Sequence, residues 1–386
     1  MIRKIRISCT VLVALLCAAC EQPPPPPPPP PVRVSAFLSC AAQGIDYVTD
    51  PVNAGKTFVS KKVSFLAPGF DPQLTGSNYH SPQCNNPVSG RYLSTLSDAF
   101  TIAAPSFKEH LCGLTCVFVN ENPCHDPQHC TPDDVTDNSW GFREQPSQST
   151  AAGRYIATSK LLWKGTTPPD ALDTYESAVL NRLLKWKGSN KPKHGHAIPD
   201  NGPDMTVLAA LAHELGHVRW FDVNVPSPGG SYDFTYLMTC ADGTGFFANS
   251  WQFTNTSFLE VPNRWRQFGD RPDVSHVEHK TDPKLSDIFQ AIDNDDERTL
   301  GGFNNTLHSP SQPWPSLFGS FTPDEDFVET YRLWVLEGAL LQSFPLTIPF
   351  GQGNGPSTQN IALDVISHNK PELERKINCV ANAPYR

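Results

Sequence analysis

The segment from Asp204 to Asp222, DMTVLAALAHELGHVRWFD, constrains the fold more than any other part of the chain. Its leucine and valine residues recur at the 3.6-residue spacing of a helix, which predicts a helix with a buried stripe. His213 and His217 are four residues apart and leave the same side of that helix, with Glu214 beside them. Two imidazoles at this spacing can reach one zinc ion, and the glutamate can accept a proton from a metal-bound water.

The pattern H-E-x-x-H also occurs by chance on ordinary helices, where the two histidines are simply polar positions. Gly216 favours the metal site over this alternative. A glycine inside a helix costs about 1 kcal/mol relative to alanine, and close packing behind a metal site would explain its presence. We therefore expect a zinc site on this helix, with Asp204 as the candidate N-cap residue.

A catalytic zinc site needs a third protein ligand and one open position for water. Asp222 is a weak candidate because helical geometry turns it about 140° away from His217. We expect it to be an exposed residue that closes the helix. The better candidate lies in residues 321–343, FTPDEDFVETYRLWVLEGALLQS.

This second segment has the form of a capping box, with Thr322 followed three residues later by Glu325, and then continues at helical spacing. Glu325 and Glu329 are one turn apart and share a face. Glu325 could instead serve only as part of the cap, and Asp326 is a competing ligand one residue further on.

Taken together, the two segments resemble the gluzincin group of zincin metallopeptidases, and in particular its EDFxE-type glutamate helix. The resemblance implies that His213, His217 and Glu325 bind one Zn²⁺ ion. It also implies that Glu329 supports a histidine ligand from outside the ligand set. The implied fold is α+β, with a small mixed sheet, the HExxH helix and the glutamate helix. An edge strand lies above the metal helix in such folds, and Tyr155–Ser159 is the candidate here.

The start of the chain predicts export. A basic beginning precedes an apolar run at residues 7–16 that is too short to span a bilayer permanently, so residues 1–19 have the form of a signal peptide. Residues 17–20, CAAC, resemble the lipobox of bacterial lipoproteins, which implies lipidation of Cys20. Cys17 departs from the usual aliphatic residue, and ordinary cleavage near the two alanines is the alternative.

Residues 20–31 begin with this cysteine and end with nine consecutive prolines. Such a proline run forms an extended spacer. A lipid anchor followed by a spacer would hold the protein at the bacterial cell envelope, in the outer membrane or periplasm, with secretion as the alternative. Beyond the spacer we expect a cysteine-rich N-terminal region at 32–150, built of turns and strands. The zincin-like catalytic domain is expected at 151–386.

Eight of the eleven cysteines follow the leader, and an even number in an exported chain predicts four disulfides. The even count also favours lipidation of Cys20, because a free thiol there would make the number odd. Cys240 and Cys379 alone lie outside the N-terminal half, so their pairing would tie the end of the chain to the catalytic region. A second zinc site among the cysteines and histidines of residues 112–130 is the less favoured alternative.

Other segments carry weaker signals. We expect short strands at Thr57–Ser60 and Val63–Leu66, a helix at Asp170–Trp186 and another near Leu373–Val380. The histidines of the later HxxH sequence are expected in a loop, and three tyrosines are possible oxyanion donors that the sequence does not rank. These residues are His276, His279, Tyr232, Tyr236 and Tyr331.

The net charge of the chain argues against one class of function. The formal net charge is −9, and removing the three cationic residues of the leader takes it to −12. Such an acidic chain is a poor candidate for binding nucleic acid. The resemblance to gluzincins implies a zinc metalloendopeptidase that acts on a peptide or protein, and the lipobox-like sequence implies that it reaches the membrane through its N-terminal anchor. A catalytically inactive zincin-fold surface lipoprotein that acts as a binding module is the alternative. A hydrolase or lyase acting on a non-peptide bond stays open as well.

Overall fold

In the computed structural model, the described residues lie between Ser39 and Pro384 and belong to one compact unit. The features expected at residues 1–31, including Cys20, lie outside them, as does the helix expected at Asp170–Trp186. The described residues are 39–66, 83–88, 90–120, 139–143, 153–159, 195–196, 203–224, 233–254, 276–294, 296–307, 309, 311–340, 346–350, 357–361 and 370–384.

Helices and small sheets mix in these segments, in agreement with the expected α+β class. The helices are α1 (Pro51–Lys62), α2 (Arg91–Ile102), α3 (Pro105–Cys112), α4 (Pro203–Asn224), α5 (Thr235–Thr239), α6 (Leu285–Asp293), α7 (Glu297–Leu307), α8 (Pro323–Leu340) and α9 (Pro371–Ala381). The strands are β1 (Val63–Phe65), β2 (Cys116–Asn120), β3 (Trp140–Arg143), β4 (Arg154–Ser159), β5 (Gly195–His196), β6 (Trp251–Phe253), β7 (Val277–His279), β8 (Leu346–Phe350) and β9 (Ser357–Ile361).

The largest described sheet has the strand order β1-β2-β4-β3. Strands β1, β2 and β4 are parallel, and β3 runs antiparallel to β4. The expectation that Tyr155–Ser159 forms the edge is therefore wrong, because β4 lies between β2 and β3. Its buried run from Tyr155 to Thr158 suits an interior strand. The edge beside the HExxH helix is β3, and strands from both sides of residue 150 share this sheet.

Helix α4 runs through the centre of the fold, packed by α2, α8 and the strands β3 and β4. Nearly every side chain from Met205 to Asn224 is buried, so the helix lacks the solvent-facing side that a single buried stripe would leave. It begins at Pro203, a favoured first helical residue, which places the expected N-cap residue Asp204 inside the first turn.

The expectation that residues 32–150 consist of turns and strands is wrong, because helices α1, α2 and α3 lie there. The strand expected at Thr57–Ser60 is wrong as well, because these residues belong to helix α1. Pro51 begins the helix, and the Asp50 side chain caps it by accepting a hydrogen bond from the Asn53 amide at 3.2 Å. These signals outweigh the β propensity of the threonine, phenylalanine and valine. The strand expected directly afterwards is confirmed as β1, and the helix expected near Leu373–Val380 is confirmed as α9.

Disulfides join both ends of the described chain to its interior. The expected pairing of Cys240 with Cys379 is confirmed. Cys112 and Cys116 are bonded to Cys40 and Cys84, so they do not form the alternative zinc site. The cysteines at 124 and 130 lie outside the described residues. Disulfides fit an exported protein. Among the helices of the described segments, none has the length and apolar character needed to cross a membrane.

Candidate metal centre

The structure brings His213 and His217 of α4 together with Glu325 of α8. His217 Nε2 lies 3.6 Å from Glu325 Oε1, and His213 Nε2 lies 3.9 Å from Glu325 Oε2. One ligand atom from each residue falls within 4.8 Å of the other two. The three side chains could therefore hold one metal ion.

The spacing of these atoms fits a small divalent cation. Four tetrahedral bonds of about 2.0–2.2 Å place neighbouring ligand atoms about 3.3–3.6 Å apart, close to the 3.6 and 3.9 Å between Glu325 and the two histidines. The buried Glu325 Oε2 has no hydrogen-bond partner among the described residues. A buried carboxylate oxygen without a donor is strongly disfavoured unless a cation or proton meets it. Two imidazoles and one carboxylate are also a common donor set for catalytic zinc.

Gly216 allows α4 and α8, the two helices that carry the candidate ligands, to approach each other. A Cβ atom at this position would lie 3.1 Å from both Cα and Cγ1 of Val328, on the facing side of α8. The glycine thus occurs where the helix backbones come close together, one residue before His217. This contact is the close packing that was expected from the glycine inside the helix.

Glu329 lies behind His213 and fixes the orientation of its ring. His213 Nδ1 is 2.9 Å from Glu329 Oε1, while Ser316 donates to the other carboxylate oxygen at 2.7 Å. Burial raises the pKa of Glu329, but Arg332, His213 and Ser316 outweigh it and lower that pKa to about 2. An ionised Glu329 accepts a hydrogen bond from Nδ1–H of His213, which leaves Nε2, on the side of Glu325, as the nitrogen with a free lone pair.

One contact of His213 was not indicated by the sequence. Phe318 stacks on the His213 ring with centroids 5.6 Å apart. Phe318 belongs to a short 3₁₀ turn just before α8, and no pattern in the sequence marks this contact. Burial and the nearby His213 lower the pKa of His217 to about 3, so His217 is the neutral imidazole that a metal requires.

Glu214 is buried beside the ligands, and this desolvation raises its pKa well above the usual value. Burial also raises the pKa of Glu325, and the charges of neighbouring acids, Glu214 among them, raise it further. A carboxylate with a raised pKa is a better proton acceptor near neutral pH than an ordinary glutamate. The arrangement therefore places a strong candidate base next to the three candidate ligands.

The edge strand β3 approaches the metal helix at this base. A Cβ atom on Gly141 would lie 1.8 Å from the carbonyl oxygen of Glu214 and 3.0 Å from Cβ of His217. Only a glycine allows the strand backbone to lie so close to the helix. The sequence Trp-Gly-Phe-Arg is too short to have predicted this contact.

Asp222 is buried, so the expectation of an exposed residue at the end of the helix is wrong. Its carboxylate is 3.2 Å from Arg143 of β3, 3.0 Å from Arg154 of β4 and 3.4 Å from Arg219 of its own helix. Arg143 also donates to the carbonyl of Phe221. These contacts tie the edge strand to the metal helix one turn beyond the candidate ligands.

The remaining candidate residues bond elsewhere. Asp326, the competing ligand, contacts Lys376 and accepts a hydrogen bond from Trp251 at 2.9 Å. The hydroxyl of Tyr331 lies 2.5 Å from His110 Nδ1, and Tyr236 donates to the carbonyl of Cys379 at 2.7 Å. Tyr232 lies outside the described residues.

His279 is not in a loop as expected, since it ends strand β7 and is fully buried. Its two ring nitrogens lie 2.7 and 2.6 Å from the carbonyl oxygens of Pro283 and Ser320, so both face the backbone of neighbouring segments within the core. His276 stands in a turn immediately before β7. The structure thus gives His279 a packing role away from the candidate ligands.

Comparison with known proteins gives no relative from which a function could be transferred. No family model matches the chain, and neither the curated proteins nor the solved structures give a match. The functional interpretation therefore depends on the residues and geometry of this chain.

Proposed function

We propose that the protein is an exported zinc-dependent metallopeptidase that hydrolyses peptide bonds. The observation that carries the proposal is the convergence of His213, His217 and Glu325, with the buried acid Glu214 beside them. Two of these residues come from one helix turn and the third from a helix more than 100 residues later. A merely structural pair of helices would not require such a donor set at their crossing.

Zinc is the cation that this donor set suits best, because two imidazoles and one carboxylate match its preferred ligands. When bound, it supplies Lewis-acid chemistry that lowers the pKa of a water molecule to about 7. His213, oriented by Glu329, and His217 would hold the ion as neutral donors. The side chain of His217 is 23 % exposed and that of Glu325 only 5 %, so reactants would enter on the His217 side.

Glu214 is the residue we assign to proton transfer. Its raised pKa suits it to accept a proton from the attacking water and to return that proton to the leaving amine. The carboxylate is screened from bulk solvent, which strengthens its interaction with charge that develops during the reaction.

Strand β3 is the element we assign to substrate binding. It forms the edge of the described sheet and contacts the metal helix at Glu214 through Gly141. An extended peptide that adds to such an edge is aligned by main-chain hydrogen bonds. Its scissile bond would then pass beside the candidate base.

The same proposal includes the location of the enzyme. The disulfides agree with an oxidising compartment, and the signal-like residues 1–19 with Cys20 support export followed by lipid anchoring. A lipid anchor would place the proline spacer between the membrane and the catalytic body.

The test is metal analysis combined with proteolysis by the purified full chain. We expect one equivalent of zinc per chain and cleavage of denatured casein that chelation abolishes and added zinc restores. A zinc-loaded protein that cleaves neither casein nor a peptide library would support a binding module in place of a peptidase. A protein that binds no metal after reconstitution would contradict the metal site and therefore the proposed function.

A further inference from the structure

A buried ion pair lies directly behind the third candidate ligand. Asp326 follows Glu325 on helix α8, and its side chain leaves the helix about 100° away from that of Glu325, where it contacts the ammonium group of Lys376 on α9. Both side chains are fully buried. Trp251 of β6 donates its indole N–H to the same carboxylate oxygen at 2.9 Å. Two donors from two other elements therefore fix this one residue of α8.

The surroundings of Lys376 leave its ammonium group little freedom. Its Nζ lies 4.9 Å from the ring centroids of both Phe246 and Trp314, within the range of cation–π interaction. The ammonium is thus enclosed by two aromatic rings and one carboxylate. Any shift of α8 along or around its axis would separate Asp326 from this enclosure.

Stability alone is a poor explanation for this pair. Removing two charges from water is costly, and well-packed neutral residues often stabilise a core as well or better. Buried pairs are instead known to fix the register of one element against another. Here the element whose register is fixed carries Glu325, one residue away.

The residues that directly follow helix α9 are joined to α4, the other helix that carries candidate ligands. Arg219, two residues after His217 on α4, donates to the carbonyl of Ala383 at 2.9 Å. The Cys240–Cys379 disulfide and the hydrogen bond from Tyr236 to the carbonyl of Cys379 hold the same segment in place. Residues 371–383 therefore contact both helices that supply the candidate ligands.

We propose that residues 371–383, the C-terminal brace, set the geometry of the metal centre, with Lys376 and Asp326 as positioning residues for Glu325. This inference rests on the metal site proposed above. The brace holds α8 through Lys376 and α4 through the Ala383 carbonyl, so it fixes the separation of the ligands without touching the metal. Loss of the ion pair should therefore weaken metal binding even where the fold survives.

The first test is the double variant Asp326→Asn with Lys376→Met, compared with the unmodified full chain. The variant removes both charges together, leaves no uncompensated ion and keeps an acceptor for Trp251. We expect a metal-free melting temperature close to that of the unmodified chain, and zinc affinity about 10–100-fold lower in a competition titration, as for loss of an outer-shell partner. Unchanged zinc affinity in a folded double variant would overturn the proposal.

The matched control is Lys370→Met. Lys370 is another buried lysine next to α9, but it contacts the carbonyl oxygens of Leu307 and Trp314 rather than helix α8. We expect this variant to bind zinc as tightly as the unmodified chain. An equal loss of affinity in the control would show that any buried lysine of this region has the effect, and would contradict a specific role for the pair.

A second measurement uses the unmodified chain and decides the matter if the double variant does not fold. Coupling between two sites is reciprocal, so zinc binding should slow hydrogen exchange in α9 as well as in α4 and α8. Helix α1 serves as the internal control and should not change. Protection that rises in α4 and α8 but not in α9 would overturn the brace. Failure of the unmodified chain to bind zinc would instead contradict the proposed function, so the two failures are distinguishable.

Discussion

Glu325 and Asp326 are neighbours on one helix and are both buried, yet their electrostatic surroundings are opposite. Asp326 has a countercharge within the chain, because the ammonium of Lys376 contacts its carboxylate. Burial raises the pKa of both carboxyl groups, but Lys376 opposes this shift at Asp326, whereas the charges of nearby acids add to it at Glu325.

The difference follows from helix geometry. Successive residues on an α-helix point about 100° apart, so one side of α8 faces the brace and the next faces the histidines of α4. A buried carboxylate needs a cation or a proton. The chain supplies a cation to Asp326 as a lysine, whereas Glu325 faces two imidazoles and is a candidate ligand for a metal ion. One side is a closed structural contact, and the other is a candidate reaction site.

The largest expected effect concerns Glu214, which lies at the candidate reaction site. Glu214→Gln keeps the shape of the side chain but removes its basicity, so peptide hydrolysis should fall about 10²–10⁴-fold. Zinc content should stay at one equivalent, since Glu214 is not among the candidate ligands. The measurement is cleavage of denatured casein together with metal analysis. Undiminished turnover would remove Glu214 from the role of base.

The second prediction compares the stability of variants at Asp326 and Glu325. In metal-free protein, Asp326→Asn should lower the free energy of unfolding by about 3–5 kcal/mol, because it leaves a buried lysine uncompensated. Glu325→Gln should not lower it, because a neutral amide replaces an acid that has no countercharge in the chain. Urea unfolding of chelator-treated protein measures both. Equal destabilisation by the two variants would contradict the stated difference between the surroundings of Asp326 and Glu325.

The third prediction concerns the support of His213. Glu329→Gln removes the charge that accepts the Nδ1 proton at 2.9 Å, so zinc affinity should fall about 10–100-fold. The fold should survive, because the amide oxygen can still accept the hydrogen bond from His213, while the amide nitrogen can donate to the Ser316 hydroxyl in place of the second carboxylate oxygen. A competition titration with a chromophoric chelator measures the affinity. A variant that binds zinc as tightly as the unmodified chain would show that Glu329 does not tune this ligand.

The smallest expected effect is a pH dependence. Burial lowers the pKa of Lys370 to about 7, below its value of 10.5 in an unfolded chain. The unfolded state therefore binds more protons between these values, and stability should rise with pH, by about 1.5 kcal/mol from pH 7 to 8.5. Lys370→Met should lack this increment, and urea unfolding of both proteins at the two pH values isolates it. Identical pH profiles would contradict the lowered pKa.

Features that depend on residues close together in the sequence could be predicted from it. The HExxH spacing, the glycine at 216 and the cap before Glu325 each depend on residues within a few turns, and the helices α4 and α8 occur where these patterns indicate. The pairing of Cys240 with Cys379 could be inferred because no other cysteines remained in that half of the chain.

Features that depend on distant segments were not predictable. The direction of Asp222 follows from helical geometry, but its burial depends on Arg143 and Arg154, which arrive from two strands. The edge position of β3 depends on how four strands are ordered, which a four-residue segment does not encode. The pairing of Asp326 with Lys376 likewise joins residues 50 positions apart.

The most direct test of the central claim is a crystal of the zinc-loaded full chain with anomalous diffraction measured on both sides of the zinc absorption edge. We predict one edge-specific peak, at about 2.0–2.2 Å from His213 Nε2, His217 Nε2 and a carboxylate oxygen of Glu325. No peak at this position, or a peak ligated by other residues, would contradict the account.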